Sequence, residues 1–184
     1  MASFHDEHRW PPLLVALRRA TRPDRARVAA YAGMFRSPSG WDAYAEFLAA
    51  HGAWLDALDR ALARSGAAHL PLRDGAEEGF PREAQELPSP RTRAHALGYL
   101  YVYEAFRLGR TVLARRLRGR EEVEARADEA GRSWRDLAAQ LERVPIEEHG
   151  AVVQGALDAF AEWERQLGAA LARLGLAPGE IRAA

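Results

Sequence analysis

The stretch ALGYLYVYEAFRLGRTVLARRL, residues 96–117, is apolar at helical spacing yet carries Glu104, Phe106, Arg107 and Arg110 around a single Gly109. On a helix, Gly98, Val102, Ala105, Gly109, Val112 and Leu113 share one face, and Leu97, Tyr101, Glu104 and Leu108 an adjoining one. A glycine inside a helix costs about 1 kcal/mol relative to alanine. Gly109 therefore predicts a close approach, either of a neighbouring helix or of a flat ligand. Spacing alone favours helix against helix, with Glu104 matched by a nearby arginine.

The segments on either side follow the same period. WPPLLVALRRAT opens after two prolines, which suit the first turn of a helix and not its middle. Thr21-Arg22-Pro23-Asp24 then predicts a bend or restart before RARVAAYAGMF. SPSG at 37–40 is turn chemistry with Ser39 as N-cap, and Trp41, Tyr44, Phe47, Leu48, Leu55, Leu58 and Leu62 recur at steps of three and four until Gly66. Residues 67–88 contain three prolines and two glycines and read as a long connection. Ser89-Pro90 is expected to cap the third helix, and Ser133 to restart one that places Trp134, Leu137 and Leu141 on one side. Pro145 begins the last, whose stripe is Val152, Val153, Leu157, Phe160, Trp163, Leu167, Leu171 and Leu174. No segment alternates as a strand does. The expected class is all-α, a single domain over 1–184 with a mobile tail at 1–10.

Composition excludes several functions. The 26 basic residues are all arginine and balance 26 acids, so no net field attracts DNA or an anionic membrane. The chain has no cysteine, which removes disulfides, thiolate metal sites and cysteine catalysis. MASFHDEHRWPP has no apolar core of a signal peptide, and no run approaches the roughly 18 apolar residues of a membrane span. A cytoplasmic location is the default expectation.

The string LGYLYVYEAFRLGRTVLARRL resembles the distal-helix signature of bacterial biliverdin-producing heme oxygenases, of the form LGxLYVLEGSxLGGxVLxRxL. LRRATRPDRARV at 17–28 is similar to that family's N-terminal LRxxTxxxHxxL, SPSGWDAYAEFLAAHGAWLDAL to its second helix, and ALDAFAEWERQL to its last. The resemblance covers most of the chain in order, and the distal-helix string is its specific part. It implies a compact helical fold that holds heme between a proximal helix near the N-terminus and a kinked distal helix.

Residue by residue, the resemblance also implies lost chemistry. The proximal histidine, the iron ligand of the family, falls at Arg25, and a guanidinium has no lone pair to give to iron. The family's distal glycines fall at Ala105 and Arg110, and its small polar residue at Phe106, which cannot order water for proton delivery to bound oxygen. Gly109 is retained. Heme is both substrate and oxygen-activating group in that reaction, so loss of ligand and proton route together undermines it. The remnant pocket, Arg25, Tyr101, Ala105, Phe106, Gly109 and Arg110, suits an apolar body with a carboxylate that arginine can hold: a tetrapyrrole such as biliverdin or an iron-free porphyrin, or a fatty acid. Three functions stand: a divergent member binding such a ligand or a protein partner; a heme oxygenase with unfamiliar iron ligation; and a structural or interaction protein whose cavity Ala105, Phe106 and Arg110 have closed.

The remaining motifs are bland. None of His5, His8, His51, His69, His95 and His149 has the neighbouring ligands of a metal site, and no Glu-x-x-His pairing marks a di-iron bundle. RRLRGR at 115–120 is offset by EEVEARADE and reads as a solvated helix end. The five tryptophans fall mainly at helical spacing and read mostly as core or partly buried anchors. There is no phosphate loop and no nucleophile elbow.

Overall fold

The computed structural model of the protein describes residues 10–33, 41–65, 86–117 and 120–173, with side chains placed over 10–29, 49–65, 86–107 and 131–173. Among the described residues there are six α-helices and no strand: α1 (Pro12–Ala20), α2 (Arg22–Gly33), α3 (Trp41–Arg64), α4 (Arg93–Leu117), α5 (Arg120–Glu142) and α6 (His149–Arg173). The all-α class is as the periodicity predicts. Residues 1–9 of the tail, Ser39, most of the 67–88 connection, His69 and Leu174 lie outside the described residues.

Two compact units divide the chain. The first comprises Met1–Ala20 and Pro90–Leu157, the second Thr21–Ser89 and Asp158–Ala184. In the first, α1 buries Leu13, Leu14 and Leu17, and carries Arg18 and Arg19 in its last turn, where cations suit the helix dipole. Pro12 opens α1 and needs no amide partner there, while the Pro11 carbonyl accepts from the amide of Leu14 at 2.9 Å. The Arg18 guanidinium lies 4.2 Å from the centre of the Trp10 ring.

The start of α4 corrects the sequence expectation. Pro90 does not open the helix, which begins at Arg93 with Thr92 as its cap: Thr92 Oγ1 accepts the amide of His95 at 3.1 Å. Ser89 Oγ instead accepts from Arg64 Nε of α3 at 3.1 Å, and Arg64 Nη2 donates to the Leu87 carbonyl at 2.9 Å, within the second unit. The side chain nearest the orphan amides won the cap, and the one predicted to cap went to a distant arginine.

Close approach within the first unit is at Gly98. A Cβ built there would stand 2.1 Å from the Val152 carbonyl oxygen and 2.5 Å from the Ala156 nitrogen, both backbone atoms of α6. Gly155 of α6 answers it, since a Cβ there would stand 2.1 Å from the His95 carbonyl oxygen of α4. The two glycines let α4 and α6 cross backbone to backbone. Side-chain surroundings of Gly109, the position the sequence singled out, lie outside the described residues.

Ser133 is a second correction. It does not restart a helix, because α5 runs unbroken from Arg120 to Glu142. Leu137 and Leu141 are buried as the period predicts, and Trp134 is half-buried. Pro145 leads into a 3-10 turn, Ile146–Glu148, that feeds α6; Glu147 and Glu148 lie in its first turn, and Ile146 is exposed. Of the α6 stripe, Val152, Phe160, Trp163, Leu167 and Leu171 are buried, and Val153 and Leu157 half-buried.

The second unit is built on α3, where Ala49, Ala50, Trp54, Ala57, Leu58, Ala61 and Leu62 are buried at helical steps. In the same unit α6 buries Ala159, Phe160, Trp163, Leu167, Ala170 and Leu171, and Trp163 reaches His51 of α3. The restart at Thr21 is as expected: α1 ends at Ala20, α2 begins at Arg22, and the buried Thr21 lends its carbonyl to the amide of Arg25 at 3.0 Å. None of the described α2 side chains, 22–29, is buried. Arg27 ties the helix down, pairing at 2.5 Å with Asp24 in α2 and at 2.5 Å with Glu164 in α6.

On the outer side of α3, partial burial first and Asp56 second raise the Asp59 carboxyl above its ordinary value of 3.8, with Arg60 opposing. The folded carboxyl therefore holds its proton more tightly than the unfolded one. Its contribution to stability is present below pH 3.8 and is lost as pH rises through the folded value, leaving a net cost at neutrality. Asp59→Asn is expected to raise Tm by no more than about 2 °C at pH 7, the exposed site being well screened. That gain should vanish in thermal melts below the ordinary carboxyl range.

Candidate functional site

The middle of α4 concentrates the polar chemistry of the first unit. Tyr101 and Glu104 are buried, at 1% and 2% exposure, and Ala105, Phe106 and Arg107 are half-buried. The spacing of 104 and 107 places the arginine one turn beyond the carboxylate on the same face. Arg107 Nη1 lies 3.6 Å from Glu104 Oε1 and donates to Ser133 Oγ of α5 at 3.0 Å. A carboxylate taken out of water is costly unless a charge answers it, and Arg107 supplies that charge while the α5 hydroxyl fixes its orientation. Tyr101 meets Trp134 of α5 at 5.8 Å between ring centres, tilted by 46°. The expected match of Glu104 with an arginine is thus present.

Of the six predicted pocket residues, Tyr101, Ala105 and Phe106 occupy this part of the first unit, on successive turns of one helix. Gly109 and Arg110 continue α4, with their side-chain surroundings outside the described residues. Arg25 belongs to the second unit, half-buried on α2. Arg25, the residue expected at an iron-ligand position, has no lone pair to offer, and among the described residues no group of three or more His, Asp or Glu is placed to hold a metal ion.

Two arrangements escaped the sequence reading. The contact of Arg107 with Ser133 had no local signal, because serine before an apolar run looks the same whether it caps a helix or receives a distant donor. The other is His51 on α3, buried at 5% exposure, whose Nδ1 accepts from Trp163 Nε1 of α6 at 3.2 Å. His51 falls seven residues before Leu58, on the apolar stripe of α3, and that placement was the available clue. Its ring lies 6.0 Å from that of Trp54 at 18°. His95, at the start of α4, is buried beside Tyr99, and His149 Nε2 sits 3.2 Å from the Val144 carbonyl oxygen.

Compared with known proteins, the chain matches no family model, no curated protein and no solved structure. None of the helices formed by the described residues is long and apolar enough to cross a membrane.

Proposed function

We propose that this chain is a helical ligand-binding protein of the heme-oxygenase type that takes a tetrapyrrole or another apolar carboxylate and does not degrade heme. The observation that carries the reading is α4 itself. It is one helix from Arg93 to Leu117 bearing the whole LGYLYVYEAFRLGRTVLARRL string, with Ala105 and Phe106 half-buried in its middle. Half-buried apolar groups beside the Glu104–Arg107 ion pair offer a wall for a flat ligand and no group at position 106 to pass a proton. Bound heme would supply oxygen activation in the family reaction, and Arg25 and Phe106, at the positions the resemblance assigns, would offer it neither an axial imidazole nor a distal polar side chain.

Hemin, biliverdin and an iron-free porphyrin, titrated separately and read by visible absorbance and tryptophan quenching, test the proposal. Saturable binding of a tetrapyrrole is expected, weakened by Phe106→Asp, and Arg25→Ala and Arg110→Ala ask in turn which arginine holds the carboxylate. With hemin, oxygen and a reductant, no biliverdin above the uncatalysed background is expected. Sustained turnover would instead identify a working heme oxygenase, and failure to bind any of the three would favour a structural or interaction protein.

A further inference from the structure

The buried bond between His51 and Trp163 decides more than packing. An indole N–H can only donate, so His51 Nδ1 must accept and the neutral ring carries its proton on Nε2. Both side chains are withdrawn from water, at 5% and 1% exposure, and they join α3 to α6 inside the second unit. Adding a proton to Nδ1 sets an N–H against the indole N–H and removes the acceptor. Water cannot replace the lost partner without entry into the helix interface.

We propose that His51 is an acid-sensitive latch of the second unit: neutral, it fastens α6 to α3 through Trp163, and protonated, it releases that bond and loosens the two helices. Among the described residues the charged groups carried by the surrounding helices are accounted for. On α6, Glu162 and Glu164 flank Trp163; Glu162 is held by Arg165 and Gln166, and Glu164 by Arg27 of α2. Asp24 shares Arg27, and Arg22 and Arg25 complete the charges of α2. On α3, Asp56, Asp59 and Arg60 lie five or more residues beyond His51.

The direction with pH follows from which state takes the proton. The unfolded chain protonates this imidazole freely around the ordinary value of about 6.5, and the folded pair resists. Stability from the latch is present above that range and is lost as pH falls through it.

Ring-nitrogen and indole NMR of the unaltered chain tests the proposal directly. At pH 7.5 His51 is expected as the Nε2–H tautomer, with the Trp163 indole proton protected from exchange; at pH 5 that protection should fall at least tenfold. An Nδ1–H or doubly protonated His51 at pH 7.5, or Trp163 protection unchanged down to pH 5, would overturn it. Trp163→Phe keeps an aromatic ring and deletes the donor. Between pH 7.5 and 5.5 the parent should lose roughly 3–6 °C more in Tm than this variant does, and equal losses would also overturn the latch. Should the variant fail to fold, the NMR result on the unaltered chain decides alone.

Discussion

Gly98→Ala and Gly155→Ala are each expected to lower stability by about 3–5 kcal/mol, an effect at the extreme of single-site changes. The new methyl at 98 would stand 2.1 Å from the Val152 carbonyl oxygen, and at 155 the same distance from that of His95, where ordinary contact begins at 3.4 Å. Both obstructing atoms are backbone within helices, so no side-chain rotation relieves the clash. The helices must move apart by more than an ångström, and around them the packed Val102, Val152 and Ala156, all fully buried, lose contact. Gly168→Ala supplies the control, since nothing lies within 4 Å of a Cβ there. It should stabilise α6 by up to about 1 kcal/mol through helix propensity alone. Urea unfolding of the three variants distinguishes the cases, and a Gly98→Ala protein as stable as Gly168→Ala would show that α4 and α6 do not cross at these glycines.

That pair of glycines marks the limit of what one sequence discloses. The sequence singled out Gly109 for a close approach, whereas the approach the described residues show is at Gly98 and Gly155, and the partner of each lies far along the chain and leaves no local trace. Helix positions were more readable. Thr21 with Pro23 breaks the first helix, and Leu58 and Leu62 lie on the apolar stripe as read, while Trp54 is buried and Leu55, the stripe position expected beside it, is half-buried. The caps at Ser89 and Ser133 were misplaced for one reason. A serine hydroxyl serves a helix end or a distant arginine equally well, and Arg64 and Arg107 claimed these two. The candidate site was read through a resemblance, which sets Arg25 at an iron-ligand position and Phe106 at a proton-route position, and no local pattern in the chain carries that reading by itself. His51 shows the converse. Its place on an apolar stripe was visible, while its donor, Trp163, comes from the other end of the chain, 112 residues on.

Arg107 carries the second large effect. Glu104 is withdrawn from water to 2% exposure, and Arg107, with its side chain at 16% exposure, is the cation beside it at 3.6 Å. Removing the cation withdraws a charge that answers the buried carboxylate, which then favours protonation or rehydration through the α4–α5 seam, and both are costly. Arg107→Leu is therefore expected to destabilise by about 2–4 kcal/mol and to make stability fall with rising pH through the carboxylate range and above, because the folded chain then prefers Glu104 protonated. Glu104→Gln in the parent background should cost less, since a neutral amide needs no counter-charge. Combining Glu104→Gln with Arg107→Leu should recover part of the loss, giving a coupling of about 1–3 kcal/mol in a double-mutant cycle. Ser133→Ala separates charge from orientation: it deletes the hydroxyl that accepts from Arg107 at 3.0 Å and leaves the ion pair. A cost near 1 kcal/mol with no new pH dependence is expected for it. If Arg107→Leu and Ser133→Ala instead shift stability equally and without coupling to Glu104, Arg107 acts as a tie between α4 and α5, and the carboxylate is balanced from elsewhere.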